Sequence, residues 1–338
     1  MMPIRLVGRS GLRSSAIALG TMTFGEAKAW GTTADEAEAI MAAYVERGGT
    51  TIDTAPNYAG GTSEEIVGRF AHGRRDELVL STKYTASALA HPLAGGNSRR
   101  SMVGSVEASL TRLGTDRIDL LWLHFWDCTT PLDEILRAAD DLCRAGKILY
   151  FGLSDTPAWV ASRAVTMAEL TRIVPVAALQ MEYSVAVRDV EHELLPLAAA
   201  CDLGVFCWGP LAAGALARGE SPQRRKVSSI PAQITQVATR LGELADREQI
   251  SARALALSWL THSTRASCFP IIGARTAGQL IATLDDLVSP PSADALAACD
   301  AIAPPAALFP ERLIQSSYLR RLALGAPDRF VSPLFPRN

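Results

Sequence analysis

Four side chains in the first half of the chain could together move a proton: Asp53, Tyr58, Lys83 and His124. A free phenol has a pKa of about 10 and a lysine about 10.4. A lysine cation beside a phenol favours the phenolate, which makes the phenol a better proton donor. A lysine held away from water needs a counter-charge, and Asp53 can supply it. A neighbouring histidine can hydrogen-bond a substrate oxygen and orient it. Such a set is a tuned proton donor for a carbonyl oxygen, a form of general acid catalysis. It is useful where a hydride arrives at the carbonyl carbon. No side chain supplies a hydride, so a nicotinamide is implied.

Taken singly, each residue has an ordinary reading. An Asp after a strand is commonly a turn former, and a Lys there a solvated charge. A His in the apolar run Leu120-Leu121-Trp122-Leu123-His124-Phe125-Trp126 reads as a core histidine, and a Tyr in a glycine-rich loop as an exposed ring. The pattern of elements is what joins them. Short β-like runs alternate with longer helical patterns over nearly the whole chain, which favours parallel strands linked by crossover helices. Strands are predicted at residues 16–22, 50–53, 78–83, 118–124, 148–153, 178–181, 205–208 and 268–272. Residues 4–7 and the turn-like Gly8-Arg9-Ser10-Gly11 predict a small hairpin that plugs one end. Eight strand–helix units predict an α/β fold, a (β/α)8 TIM barrel with an N-terminal β-hairpin and a C-terminal tail. The rival is a doubly wound open sheet carrying G-x-G-x-x-G. No two glycines here sit two positions apart, and the phosphate loop G-x-x-x-x-G-K-S/T is also missing. A barrel gathers its active site at the carboxyl ends of its strands. Asp53, Lys83 and His124 end three adjacent predicted strands, and Tyr58 lies on the loop after the first.

Helix starts are predicted from capping-box spacing at Thr33 with Glu36 and at Thr62 with Glu65, and from Thr130-Pro131 and Thr156-Pro157. A helical face of Ala37, Ile40, Met41, Tyr44 and Val45 follows the first of these, and Gly114 is a plausible helix stop. The polar stretch 217–231 reads as a long loop on a barrel. Pro290-Pro291 and Pro304-Pro305 bound a terminal helix, with a tail beyond.

Composition narrows the classes. The 338 residues carry 33 Lys+Arg against 35 Asp+Glu, a formal charge of −2, which argues against a nucleic-acid partner. With 48% apolar and 20% charged residues, disorder is not expected. No apolar run approaches the roughly 18 residues of a membrane span, and the amino terminus lacks an apolar leader core. Cys128, Cys143, Cys201, Cys207, Cys268 and Cys299 form no C-x-x-C pair. They read as reduced core or near-core thiols of a cytoplasmic protein. No metal site is expected, because His72, His91, His192 and His262 fall on predicted helices or loops. The expected partner is a small carbonyl molecule. Oligomeric state is left open.

The stretch Asp53-Thr-Ala-Pro-Asn-Tyr58-Ala-Gly-Gly-Thr-Ser-Glu-Glu-Ile-Val-Gly68 resembles the Asp…Tyr signature of the aldo-keto reductase superfamily. Lys83 and His124 fall where that family keeps its other two catalytic residues. Residues 124–130 and 152–162 look most like the aryl-alcohol-dehydrogenase-like branch. The resemblance runs over about residues 4–287 of a single barrel domain, with 288–338 as a helix and tail. It implies NADPH/NADP+ held extended, and NADPH-dependent reduction of aldehydes or ketones, reversible to alcohol oxidation. It further implies that Ser154, Asp155 and Gln180 meet the nicotinamide carboxamide and that Trp208 stacks on the ring. Gly209, Pro210 and Leu211 would form the pyrophosphate loop, and Gly273, Arg275 and Gln279 the adenosine 2′-phosphate segment. Asp155 stands where many members have Asn, and Ala282 and Thr283 stand where Glu and Asn are frequent. Trp30, Phe125 and Trp126 are expected to line an apolar substrate pocket suited to aromatic or bulky carbonyls. A keto-sugar nucleotide or a secondary-metabolite ketone is an alternative substrate. An NADPH-binding regulatory subunit with slow turnover is a further alternative.

Overall fold

The computed structural model describes residues 1–338 apart from 28–29, 88, 90, 218–229, 315, 327–328 and 330–338. The expected loop at 217–231 and the end of the tail therefore lie largely outside the described residues. In chain order the elements begin with β1 (Ile4–Leu6), β2 (Arg13–Ser15), β3 (Ala18–Gly20), α1 (Ala34–Glu46), β4 (Thr51–Asp53) and α2 (Thr62–Ala71). Then come β5 (Val79–Tyr84), α3 (Arg99–Leu113), β6 (Ile118–Leu123), α4 (Leu132–Arg144), β7 (Ile148–Ser154), α5 (Ala158–Thr171) and β8 (Val176–Glu182). The series continues with α6 (Leu194–Ala200), β9 (Gly204–Trp208), α7 (Ala232–Glu248), α8 (Ala252–Thr261), β10 (Cys268–Ile272), α9 (Ala277–Asp285) and α10 (Ala293–Ile302).

The strands β10-β3-β4-β5-β6-β7-β8-β9 hydrogen-bond in that order into a closed parallel barrel. All eight predicted strands are present, each within a few residues of its expected bounds. The residues of β6 are buried throughout, as a parallel strand covered on both faces requires. Inside the barrel, Leu120, Trp122, Ala178, Phe206, Phe269 and Ile271 pack into one apolar cluster. Val7 and Leu12 from either side of the turn in the β1–β2 hairpin join that cluster, so the hairpin closes the barrel floor. Gly8 makes this approach possible. Its φ is +54°, and a Cβ there would lie 2.3 Å from the Asp202 carbonyl oxygen. A larger apolar cluster fills the layer between sheet and helices.

The helix boundaries correct part of the capping pattern. Thr33 caps α1 as expected, its hydroxyl accepting from the Glu36 amide at 3.3 Å. Glu36 does not return the bond; it accepts from the Ala277 amide at 2.6 Å, at the start of α9. Thr62 is the first residue of α2 and not its cap, because Gly61, at φ +105°, already makes the turn. Pro131 and Pro157 occupy the cap positions of α4 and α5, one residue later than expected. The Thr130 and Thr156 hydroxyls bond Asp127 and the Ser154 carbonyl instead. Gly114 ends α3 in the left-handed conformation, as anticipated. Cys207, Cys268 and Cys299 are buried, but Cys128 is exposed and Cys143 and Cys201 are half-buried, so the thiols are not uniformly core. Among the described residues no helix is long and apolar enough to cross a membrane.

The chain divides into two compact units, Met1–Ala303 and Pro304–Asn338. The second carries the short helices α11 (Glu311–Ile314) and α12 (Ser317–Leu324), the latter capped by Ser316.

Candidate active site

The pairing of β4 with β5 sets Asp53 opposite Ser81. Ser81 and Lys83 lie two residues apart, so their side chains leave the same face of the strand. Asp53 meets both. Its Oδ1 accepts from Ser81 Oγ at 2.7 Å, and its Oδ2 accepts from Lys83 Nζ at 2.5 Å. Lys83 also donates to the Thr54 carbonyl at 2.8 Å, and its Nζ lies 4.9 Å from the centre of the Tyr58 ring. The Lys83 and Asp53 side chains are 1% and 4% exposed. Burial pulls the Lys83 pKa down, but Asp53 and then Tyr58 push it up further, so the net direction is up and the ammonium stays charged.

The loop that carries Tyr58 is pinned by hydroxyls. Ser63 Oγ bonds Thr21 Oγ1 at 2.7 Å and Thr54 Oγ1 at 3.0 Å, and the Thr21 amide donates to the Asp53 carbonyl at 3.0 Å. Behind the loop, buried Glu64 accepts from Thr82 Oγ1 at 2.6 Å and from Arg112 Nε at 2.6 Å. Gly61 lets the loop pass over Arg112, since a Cβ there would meet Arg112 Cδ at 2.9 Å. Thr21, Ser63 and Glu64 hold the site, yet carry no signal beyond polar types in otherwise apolar surroundings.

His124 directly follows β6, and its amide donates to the Tyr84 carbonyl at 3.2 Å. The ring stands edge-on to Tyr58 at 6.4 Å between centres. Burial and the Lys83 charge lower its pKa to about 4, with Asp53 opposing, so the imidazole is neutral near pH 7. Its buried Nδ1 has no hydrogen-bond partner among the described residues.

A cavity of about 520 Å³ opens above these groups. Asp53, Tyr58, His124, Ser154, Asp155, Gln180, Trp208, Gly209, Gly273 and Trp30 all line it, so ten of the residues singled out from sequence converge there. Lys83 lies beneath, behind Asp53. Ser154 Oγ is buried with no partner among the described residues, an orphaned hydroxyl in the cavity wall. Gln180 Nε2 donates to Asp53 Oδ1 at 3.2 Å. Trp208 Nε1 donates to Asp155 Oδ1 at 3.0 Å, and Asp155 takes a left-handed φ of 42°. Burial raises the Asp155 pKa against the Trp208 bond and the Lys83 charge. Phe125 and Trp126 do not line this cavity. Phe125 is exposed, and Trp126 packs edge-on against Trp159 at 5.3 Å.

A second cavity, of about 160 Å³, shares Gly209 and Gly273 with the first. It takes in Pro210, Leu211, Arg275, Gln279 and Thr283, and also Arg253, which the sequence did not single out. Gln279 Oε1 accepts from the Arg275 amide at 3.0 Å, and Thr276 Oγ1 accepts from the Gln279 amide at 3.1 Å. The buried Arg275 Nε has no partner among the described residues. The linings of the two adjoining cavities thus run from the Tyr58 phenol to the Arg275 guanidinium, with the Trp208 indole and the Ser154 hydroxyl between.

Comparison with known proteins identifies the family. Residues 16–304 match the Aldo/keto reductase family. The chain is 36% identical over 295 residues to norsolorinic acid reductase stcV of Emericella nidulans, covering 82% of this chain and 75% of that protein. It is 35% identical over 298 residues to norsolorinic acid reductase of Aspergillus flavus, covering 83% and 76%. It is 33% identical over 311 residues to aryl-alcohol dehydrogenase (NADP(+)) of Phanerodontia chrysosporium, covering 82% and 79%.

Proposed function

We propose a reaction for this chain, which belongs to the aldo/keto reductase family and is an oxidoreductase: NADPH-dependent reduction of an aromatic or bulky carbonyl compound to its alcohol, and the reverse. The observation that carries the reading is the buried Lys83–Asp53 pair held under the Tyr58 ring at the cavity floor. Tyr58 donates its hydroxyl proton to the carbonyl oxygen. Lys83 stabilises the phenolate that remains, and Asp53 keeps Lys83 charged in a site that would otherwise neutralise it. His124, neutral, orients the oxygen and offers it a hydrogen bond as negative charge grows there. A nicotinamide held there would supply the hydride for the carbonyl carbon.

The residues fit that cofactor. The orphaned Ser154 hydroxyl and the Gln180 amide face the cavity beside Trp208, as a carboxamide-bearing ring requires. The N–H groups of Arg275 suit a phosphate. The aryl-alcohol dehydrogenase among the relatives carries NADP(+) in its name, which supports NADP over NAD. Met22, Trp30, Ala213 and Ile234 give the cavity apolar walls, which favour an aryl substrate. Six cysteines without a disulfide suit a reducing, cytoplasmic setting.

Tyr58→Phe tests the assignment. Turnover of 4-nitrobenzaldehyde, read as loss of NADPH absorbance, should fall about 10²–10⁴-fold, the usual weight of a positioned general acid. NADPH binding, read by calorimetry, should persist. Near-normal turnover in the variant refutes the role of Tyr58.

A further inference from the structure

Arg253 is the second residue of α8, and no motif or strand end points to it. It lines the same cavity as Arg275, with Gln279 and Thr283 completing that end. No acidic side chain stands among the described lining residues. The position of Arg253 is built by its neighbours. Its Nη2 donates to Asp286 Oδ2 at 2.7 Å, and the same oxygen accepts from Ser251 Oγ at 2.7 Å. Ser251 in turn caps α8, accepting from the Ala254 amide at 3.0 Å. The Arg253 side chain is 15% exposed, so it is held against the wall of the cavity and does not extend into solvent.

Charge and geometry then point to one kind of occupant. Asp286 balances a single positive charge, while Arg275 pairs with no carboxylate among the described residues. Two guanidinium groups in one small cavity repel each other unless an anion sits between them. A guanidinium presents parallel N–H donors that match phosphate oxygens two at a time. A phosphate monoester carries close to two negative charges at neutral pH, more than a carboxylate can offer.

We infer that Arg253, acting with Arg275, binds the 2′-phosphate of NADP(H) and sets the preference for it over NAD(H). The inference rests on the reading above that the two adjoining cavities hold a nicotinamide dinucleotide. Equilibrium binding of NADPH and NADH to the whole protein by titration calorimetry tests it, with Arg253→Gln and Arg253→Lys beside the unaltered chain. The glutamine variant should bind NADPH about 10–100-fold more weakly, the range for losing a charged hydrogen-bond donor. NADH affinity should stay nearly constant. The lysine variant keeps the charge without the fork and should lose NADPH affinity in part. Independently, adenosine 2′-monophosphate should raise the melting temperature of the unaltered protein more than adenosine 5′-monophosphate does. This arm stands even if a variant fails to fold.

Unchanged NADPH affinity in both variants overturns the inference and leaves Arg253 with a structural role beside Asp286. Equal losses for both cofactors overturn it too, because they place Arg253 on a part that the cofactors share. Failure of the unaltered chain to bind either cofactor overturns the proposed function itself, and that result is distinct from the other two.

Discussion

Asp53→Asn removes the carboxylate facing Lys83 while keeping the shape of the side chain. The amide oxygen can still accept from Ser81 and Gln180, so the perturbation centres on the bond to Lys83. In the native protein the Lys83 pKa is raised, so Lys83 carries its proton in both folded and unfolded chains through neutral pH. Its contribution is complete below the unfolded value of about 10.4 and is lost only as pH rises through the higher folded value. Without Asp53, the largest cause raising the Lys83 pKa is gone and Tyr58 alone of the two opposes burial, so the folded pKa is expected to drop below about 10.4. The unfolded chain then binds more protons than the folded one, so the variant's stability rises with pH up to that value. Removing one partner of a buried pair costs about 3–5 kcal/mol. The recovery cannot be steeper than about 1.4 kcal/mol per pH unit for a single proton. Urea unfolding of both proteins between about pH 6.5 and 9.5 reads this directly, since shared groups cancel in the difference. The gap should be widest at the low end and narrow as pH rises. A gap below about 1 kcal/mol, or one that does not change with pH, refutes the view that Asp53 is what keeps Lys83 charged.

His124 should show no ionisation between about pH 5.5 and 8, because its folded pKa is about 4. The unfolded chain binds more protons between about 4 and 6.5, so this residue removes up to roughly 3 kcal/mol of stability as pH falls through that window. An NMR titration midpoint near the ordinary value of about 6.5 contradicts the buried, neutral ring. Glu36→Ala should cost about 1 kcal/mol in thermal unfolding, the usual loss for an uncapped helix start, because the Ala277 amide loses its acceptor. No change in melting temperature would mean that water replaces the carboxylate there.

Strand ends were legible in the sequence because a barrel strand is a short apolar run whose termination is itself a signal. Asp53, Lys83 and His124 stand at or within one residue of the ends of β4, β5 and β6, and one rule of barrel architecture brings all three to one mouth. Tyr58 came with them because its loop is short. The rest of the site depends on contacts between elements far apart in the chain, and these leave no local trace. Glu36 has the spacing of a reciprocal cap for its own helix, yet α1 and α9 are neighbours around the barrel, and the carboxylate serves the other helix. Spacing reports that Glu36 can reach back; only the closed ring of strands reveals that a second free amide lies within reach. Arg253 was missed for the same reason. On α8 alone it reads as a surface charge, and it becomes a cavity residue only when β10 sets α9 beside it and Asp286 fixes its direction. Aromatic residues near the mouth erred the opposite way. Trp126, on the loop after β6, sets its ring edge-on against Trp159 at the start of α5, and so turns to a neighbouring helix and not to the cavity. The proposed chemistry therefore rests on strand termini, whereas the proposed cofactor choice and substrate class rest on helix neighbours and loop packing, which depend on how the barrel closes.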